Sequence, residues 1–470
     1  MKRIDILPDD VLLDIFDFYM DMCIRTHTKA WQTLVHVCRR WRSLVLGSPR
    51  RLNLRLYCTP KTPTNTLNVW PALPLRVVVE SRGAIPSDAD LDNVIAAFGQ
   101  SNRVHRVELS LLHRQLGRIL AAMQAPFPEL TQMKLCQYLL LSDDVTIPDS
   151  FLGGSAPRLQ SFHLSGISFP GFPKLLLSAS HLVDIQLTNI PHSGYISPEV
   201  IVALLSALSR LETLSLTFQS RQSPPGLESR SLPPLKRCIL PVLYKFIFGG
   251  VTEYLGELVA RIDTPQLDFM SLKLLDVTEM NFGCLRLVQF INRTPTLSRA
   301  CYEARVELFG VTATVTLRYR TSESEPGSGY LPIEILCRES NRRLPSIGQV
   351  CNSSLHPLST VEDLYIMKRQ YCWETDGMND TNENTLWLQF LLPFTAVRNL
   401  YLSRAFALDI AAALKELAGG RVPEVLPSLQ NVFAEKVESS WESFKDNIEQ
   451  FSAARRYSDH PINIHVWGKG

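Results

Sequence analysis

Several residues have the types and spacing of reactive or metal-binding sites. Asp380, Asn382 and Asn384 alternate like the first three oxygen ligands of a calcium-binding loop. The same segment has Thr385 where such a loop requires glycine and Leu391 where it requires a bidentate carboxylate, so calcium binding is not expected. His105 and His113 bracket a predicted strand, lie eight residues apart and have no acidic partner, which favours ordinary surface or core histidines over metal ligands.

The cysteines and the glycine-containing segments also lack catalytic patterns. The ten cysteines include no CxxC pair, so a zinc cluster is not expected. The segment GISFPG is one residue too long for a nucleophile elbow, and neither a P-loop nor GxGxxG occurs. The start MKRIDILPDD has no export signal, which predicts free thiols in the cytoplasm or nucleus. We therefore expect a protein that is not an enzyme and that uses no metal or other cofactor.

Bulk composition narrows the class of partner. Apolar residues make up 45% of the chain and the formal net charge is +2, which predicts a folded core and argues against a general nucleic-acid or membrane-surface binder. The most apolar window, LPVLYKFIFGGVTEYLGELVA, carries Lys245, Glu253 and Glu257 and is not expected to span a bilayer. The expected partners are therefore proteins, with no nucleic acid and no membrane.

Two segments near the N-terminus carry apolar residues at helical spacing. Pro8 and the acidic residues behind it suit the start of the first helix. The two stripes comprise Val11, Leu12, Ile15 and Tyr19, then Trp31, Leu34, Cys38, Trp41 and Val45. An element of this size buries only a modest fraction of its own surface. The sequence leaves two alternatives open: the helices dock on the rest of the chain, or they dock on another protein.

These segments carry a family resemblance. The stretches Leu7-Pro8-Asp9-Asp10-Val11-Leu12 with Ile15-Phe16, and then Val37-Cys38-Arg39-Arg40-Trp41-Arg42, resemble the F-box motif. Between them, MDMCIRTHTKA occupies the place where the family usually has a second Leu-Pro turn. The resemblance implies a three-helix element that inserts into the Skp-type adaptor of a cullin-based ubiquitin ligase. The expected adaptor-binding residues are Leu7, Pro8, Val11, Leu12, Ile15, Leu34, Cys38, Trp41 and Val45.

The remainder of the chain repeats one pattern: apolar, two residues of any type, apolar, one of any type, apolar. Copies begin at Val104, Leu130, Leu159, Leu182, Leu211, Leu243, Leu267, Val361, Val397 and Leu429, with helix-like stretches between them. One strand and one helix cannot bury either face alone, so the units must stack. This arrangement resembles a leucine-rich-repeat solenoid. Uneven spacing, and the residues Tyr138, Ile167, Ile190 and Gln219 where asparagine or cysteine is expected, predict an irregular solenoid without a regular asparagine ladder.

The repeat is interrupted over about 298–345. VELFGVTATVTLRY alternates at period two and YLPIEILCR reads as a further strand, which predicts an inserted β-meander. RTSESEPGSG and ETDGMNDTNENT are predicted loops. WESFKDNIEQFSAARRY and INIHVW predict a helix and a strand within a cap over about 438–470. The predicted domains are therefore 1–48, a helical F-box-like domain, and 49–470, the repeat region.

A later stretch extends the resemblance. ENTLWLQFLLPFTAVRNLYLSR, LPSLQNVFAE and FSAARRYSDHPINIH resemble basidiomycete fungal proteins that pair an F-box-like start with a divergent repeat region. The expected fold is α/β, with a small all-α F-box followed by an irregular leucine-rich-repeat-like solenoid with a β-meander insertion. The implied function is target recognition in a Skp–cullin–F-box ubiquitin ligase. The alternative is a repeat-based interaction scaffold whose F-box is not used for ubiquitination.

Strand register predicts a candidate target surface. The residue between the second and third apolar positions points away from the core. That column contains Glu108, Lys134, His163, Gln186, Ser215, Ile247, Ser271, Tyr365, Tyr401 and Phe433. Neighbouring strands lie about 4.8 Å apart, so Tyr365, Tyr401 and Phe433 are expected to form a contiguous ladder and are the target-binding candidates. The alternative is that the meander or the loop after Trp373 covers the ladder and makes it part of the core.

Overall fold

The computed structural model describes residues 7–23, 30–69, 73–79, 86–137, 145–170, 172–219, 237–275, 284–319, 329–337, 339–352, 356–368, 383–417, 425–435, 441–456 and 462–467. The chain divides into two compact units, 1–182 and 183–470. The predicted loop 320–329 lies outside the described residues except for Gly329, and 374–382 of the predicted loop 374–385 also lies outside them. The last three residues, 383–385, are helical, so that part of the loop prediction is wrong. The predicted boundary after residue 48 stays a prediction.

The first unit starts with helices and continues with alternating strands and helices. Its helices are α1 Asp9–Cys23, α2 Ala30–Val35, α3 Arg39–Gly47, α4 Asn65–Val69, α5 Asp88–Phe98, α6 His113–Ala122 and α7 Phe172–Ser178. Its strands are β1 Leu56–Cys58, β2 Leu75–Val79, β3 Val104–Leu111, β4 Gln132–Gln137, β5 Val145–Thr146, β6 Ser161–Ser165 and β7 Ile167–Ser168. The order β1-β2-β3-β4-β6 is parallel throughout, and β5 pairs with β7.

The second unit is also α/β. Its helices are α8 Pro198–Leu205, α9 Thr252–Ala260, α10 Cys284–Arg293, α11 Arg343–Asn352, α12 Glu383–Leu391, α13 Ala407–Glu416 and α14 Trp441–Arg456. Its strands are β8 Asp184–Ile190, β9 Thr213–Phe218, β10 Cys238–Ile239, β11 Lys245–Gly250, β12 Ile262–Asp263, β13 Phe269–Leu275, β14 Cys301–Phe309, β15 Thr312–Tyr319, β16 Tyr330–Leu336, β17 Asp363–Lys368, β18 Asn399–Leu402, β19 Asn431–Glu435 and β20 Asn463–Trp467. Eleven of them form one sheet in the order β8-β9-β11-β13-β16-β15-β14-β17-β18-β19-β20, and β10 pairs with β12 in a separate two-stranded sheet.

The repeat pattern marks the core. Every first, second and third apolar residue of the ten predicted copies is at most 5% exposed, and each copy leads into or lies on a parallel strand. The predicted strands and the closing α14 and β20 are therefore confirmed. Sequence reasoning missed β1 and β2, which precede the first recognised copy and have Leu56, Leu75 and Val77 buried in the same way.

The predicted meander is confirmed and lies inside the sheet of the second unit. β14, β15 and β16 are antiparallel, with a two-residue turn at Gly310 and Val311, where Gly310 has a φ of 49°. β16 pairs in parallel with β13, and β14 pairs in parallel with β17. The insertion thus continues the sheet in reversed strand order and keeps its inner face apolar. No helix among the described residues is long and apolar enough to cross a membrane.

Candidate protein-interaction surfaces

Helix α1 has two apolar faces and one acidic face. Leu12, Leu13 and Phe16 are buried against the chain. Val11, Ile15 and Phe18 recur at helical spacing on a second face and are 37%, 43% and 69% exposed; we call this the outer face of α1. Asp10, Asp14 and Asp17 occupy the remaining side. Because its core face is already filled, the outer face of α1 has no role in burying the helix within the described chain.

The inner side chains join the three helices to the start of the repeats. Trp31 is 2% exposed, and its indole N–H donates to the carbonyl oxygen of Arg55 at 3.0 Å. The ring centroids of Phe16 and Trp41 are 4.7 Å apart. Leu52 and Leu54 are buried immediately after α3. The helices therefore dock on the rest of the chain through one face only. Docking on the chain, the first of the two alternatives left open by the sequence, accounts for the inner residues and not for the outer face of α1.

Charged side chains hold the same helices in place. Arg40 donates to the Leu7 carbonyl oxygen at 2.6 Å and forms a 2.6 Å ion pair with Asp9. Arg51 pairs with Asp14 on the acidic side of α1. Arg42 donates to the carbonyl oxygen of Val35 at 2.9 Å, which ties α3 to the end of α2. These exposed pairs add little stability individually, but they orient the outer face.

The nine predicted adaptor-binding residues fall into three groups. Exposed are Pro8, Val11, Ile15 and Cys38; half-buried are Leu7 and Trp41; buried are Leu12, Leu34 and Val45. Cys38 caps α3, and its sulfur accepts a hydrogen bond from the Trp41 backbone N–H at 3.5 Å. Sequence reasoning missed Phe18 and Val37, both exposed, and the inward Leu13 and Phe16. The sequence signal for Phe18 was its spacing, because Val11, Ile15 and Phe18 are four and three residues apart and so lie on one face of a helix.

Strand pairing within each unit confirms the register of the predicted column, although Ser215, at 4% exposure, is buried rather than outward. Glu108, Lys134 and His163 are register partners in the first unit. In the second, the partners run Gln186, Ser215, Ile247 and Ser271, then Tyr365, Tyr401 and Phe433. The column also includes Arg305 before Tyr365 and His465 after Phe433.

The aromatic part of this column is a continuous stack. Ring centroids are 4.2 Å apart from Tyr365 to Tyr401, 4.6 Å from Tyr401 to Phe433 and 4.8 Å from Phe433 to His465, with interplanar angles of at most 19°. The rings are half-buried up to Phe433 and His465 is exposed. We call these four residues the ring ladder. Their faces cover one another, so a partner meets mainly ring edges.

Two neighbours modify the ring ladder. The Trp467 ring is steeply inclined to those of Tyr401 and Tyr365, at 5.7 and 6.3 Å between centroids. The Arg305 guanidinium lies 5.1 Å from the centre of the Tyr365 ring. Burial, together with Tyr401 and the nearby carboxylate of Glu303, raises the pKa of Tyr365 to about 12. A hydrogen bond between the Tyr365 and Tyr401 side chains contributes to this rise in pKa, so the Tyr365 hydroxyl is already engaged with Tyr401.

An amide ladder runs beside the ring ladder. Asn463 Nδ2 donates to Asn431 Oδ1 at 3.2 Å, Asn431 Nδ2 donates to Asn399 Oδ1 at 2.8 Å, and Asn399 Nδ2 donates to Asp363 Oδ1 at 2.7 Å. All three bonds point the same way, and the carboxylate at the far end accepts only. We call these four residues the amide ladder. It lies immediately before the second apolar position, away from the position where sequence analysis excluded an asparagine ladder.

The column of the first unit has a different character. Glu108 pairs with Arg76 at 2.7 Å and with Arg106 at 2.5 Å, and Arg76 also lies over the Tyr57 ring. Burial opposes ionisation of Glu108, but the two guanidinium groups hold its pKa below the usual range. This surface is charged and internally paired. Among the described residues, no group of three or more histidine, cysteine or acidic side chains is arranged to hold a metal ion.

Comparison with solved structures gives a weak likeness. No family model matches the chain, and no curated protein matches it. Among solved structures, the chain is similar to the leucine-rich repeat-containing protein LegL7 from Legionella pneumophila, with 12% identity and a TM-score of 0.27. That similarity covers 85% of this chain and 98% of the other.

Proposed function

We propose that this protein is a target-recognition subunit of a Skp–cullin–F-box ubiquitin ligase, in which α1–α3 bind the Skp-type adaptor and the repeats bind a protein target. The observation that carries the proposal is the outer face of α1, an apolar surface left exposed on a helix whose core face is filled. The F-box resemblance of the same residues names the partner. The protein contributes no catalytic group; it holds the target near the transferring enzyme at high effective concentration.

The adaptor test uses the outer face of α1 alone. Trp41 is unsuitable, because its contact with Phe16 makes it part of the fold. In the Ile15→Asp/Phe18→Asp variant, co-expression with a Skp-type adaptor is expected to lose the complex. The matched control is Leu177→Asp/Leu285→Asp, which charges two apolar residues that are 69% and 70% exposed on α7 and α10. Equal recovery of adaptor by the outer-face variant and the control contradicts the proposal.

The second candidate function is a repeat-based interaction scaffold that is not used for ubiquitination. It is favoured by the repeat strands and their outward column, which do not depend on the helices for their pairing. Recovery of adaptor without cullin, from cells expressing both, is the result that selects this alternative over the ligase subunit.

The target test concerns the ring ladder. Changing Tyr365, Tyr401 and Phe433 to Ser removes the three stacked pairs of the ring ladder, each worth about 0.5–1.5 kcal/mol, so the fold is expected to survive at reduced stability. Target capture in a proximity-labelling comparison is expected to disappear while adaptor recovery persists. Ile247→Ser, in the same column, is the control. Unchanged capture by the triple variant places target binding elsewhere.

A further inference from the structure

Strand β20 forms one edge of the sheet in the second unit. It pairs with β19 in parallel, from Asn431 opposite Asn463 to Glu435 opposite Trp467. The Asn463 N–H donates to the carbonyl oxygen of Gln430 at 2.8 Å. Because alternate residues of a parallel strand bond to opposite sides, the N–H and C=O groups of Ile464 and Val466 point to the other side. In the described part of the chain, no strand pairs with that side.

The amide ladder specifies what the next strand must offer. Each amide in it donates toward Asp363, so Asn463 uses its N–H on Asn431 and presents its Oδ1 as the next acceptor. The side chain on the next strand must donate a hydrogen bond to this oxygen and also carry an acceptor of its own, as every amide in the ladder does. The residue opposite Asn463 is therefore expected to be asparagine.

The ring ladder and the core row stop at the same edge. His465 stacks on Phe433 at 4.8 Å and is exposed, so a ring on the next strand would continue the stack. Val466 is the register partner of the buried Ala434 but is itself 59% exposed. An unprotected edge of this kind is a template for pairing with another chain.

We infer that the free edge of β20 binds an extended segment of a partner protein, which adds as the next parallel strand with asparagine opposite Asn463, an aromatic residue opposite His465 and an apolar residue opposite Val466. The inference deepens the proposed function, because it takes this partner to be the target and gives its recognition element. Main-chain hydrogen bonds supply affinity and the alternate side chains supply specificity, as in strand addition generally.

A second copy of this chain cannot continue the amide ladder and the ring ladder at the same time. Copies related by a twofold axis would pair their β20 strands antiparallel. A register that brings Asn463 beside Asn463 then sets His465 opposite residue 461. The amide row and the ring row therefore cannot both continue in such a dimer, whereas a parallel segment of another protein continues both.

The test uses the full chain and two synthetic peptides of one composition. The first is fluorescently labelled Thr-Asn-Ile-Phe-Val-Thr, and in the second the Asn and Phe exchange places. Fluorescence anisotropy is expected to show saturable binding of the first and about tenfold weaker binding of the second. Val466→Pro removes an outward N–H without breaking a bond to β19, and edge strands tolerate proline. It is expected to weaken binding about five- to tenfold, while Val466→Thr, which keeps the N–H, is expected to bind like wild type.

Four outcomes overturn the inference. The first is that the first peptide shows no saturable binding, and the second is that the two peptides bind with equal affinity. The third is stronger binding of the exchanged peptide, which would indicate antiparallel addition. The fourth is unchanged peptide affinity in the Val466→Pro variant. Sedimentation velocity without peptide adds a fifth, a dimer that Val466→Pro dissociates. None of these readouts involves the adaptor, so failure here leaves the adaptor-recovery test standing, and loss of adaptor binding leaves the peptide result standing.

Discussion

The inner and outer apolar faces of α1 can be distinguished experimentally by making the same Phe→Ala substitution once on each face. Phe16 is fully buried against Trp41, whereas Phe18, two residues away on the same helix, is 69% exposed. Truncating a buried Phe to Ala typically costs about 3–5 kcal/mol, because both transfer energy and cavity contribute. At an exposed position the change is expected to stay within about 0.5 kcal/mol. Phe16→Ala should therefore destabilise the helices and Phe18→Ala should not.

Amide hydrogen exchange of the full chain measures this difference locally. If opening of α1–α3 controls exchange, a loss of about 3–5 kcal/mol accelerates their amides by about a hundredfold to several thousandfold. The amides of β9, which lies in the other unit, are expected to stay unchanged and serve as the internal control. Equal acceleration in both variants, or none in Phe16→Ala, would refute the assignment of the inner and outer faces.

Four further outcomes are expected. Asn431→Asp replaces a donor with a second acceptor in the amide ladder, so urea unfolding at pH 7 should show a loss of about 1–3 kcal/mol that shrinks as pH falls and the new carboxyl regains a proton. The folded-state pKa of Tyr365, about 12, lies above the unfolded value near 10. The contribution of this group to the free energy of unfolding is therefore complete below about pH 10 and disappears as the pH rises toward 12. Tyr365→Phe should flatten this pH dependence in denaturant titrations at pH 9–11, and an identical slope in wild type and variant would contradict it. Iodoacetamide at pH 8 should label the exposed Cys38 and spare Cys58, Cys301 and Cys351, because burial raises the pKa of these three thiols to about 11, 12 and 12. If peptide mass spectrometry finds Cys351 labelled as much as Cys38, this prediction is wrong. Limited proteolysis should cut first within the predicted loop segments 320–328 or 374–382, and an early stable cut near Ser220 would argue for two independently folding parts.

The strands and their register were predictable because their signal is local and strict. A period of two leaves no freedom, since a slip of one residue would expose a whole buried row. The column through Tyr365, Tyr401 and Phe433 therefore follows from the sequence. The orientation of α1 does not, because Val11 and Leu12, and likewise Ile15 and Phe16, are adjacent apolar pairs on neighbouring faces. Which member faces inward depends on contacts with the rest of the chain, beyond the reach of a helical pattern.

The amide ladder was missed for a different reason. Its members Asn399, Asn431 and Asn463 precede the second apolar position, and each looks like an isolated polar residue until the strands are set in register. Only the pairing shows that they form a directional row ending on Asp363. Long-range complementarity of this kind has no signal within a single repeat.

The distribution of unused hydrogen-bonding groups indicates where a target can gain binding energy. In the first unit, Glu108 already pairs with two arginines, so a partner must break or merely border those pairs and gains little from them. Along the ring ladder, the stacked ring faces are used and the ring edges remain, while the Tyr365 hydroxyl is already hydrogen-bonded to Tyr401. At β20, main-chain groups, the side-chain Oδ1 of Asn463, the His465 ring and the Val466 side chain remain open together. A segment that adds there satisfies groups that nothing in the described chain satisfies, so binding energy should concentrate at that edge rather than along the charged column.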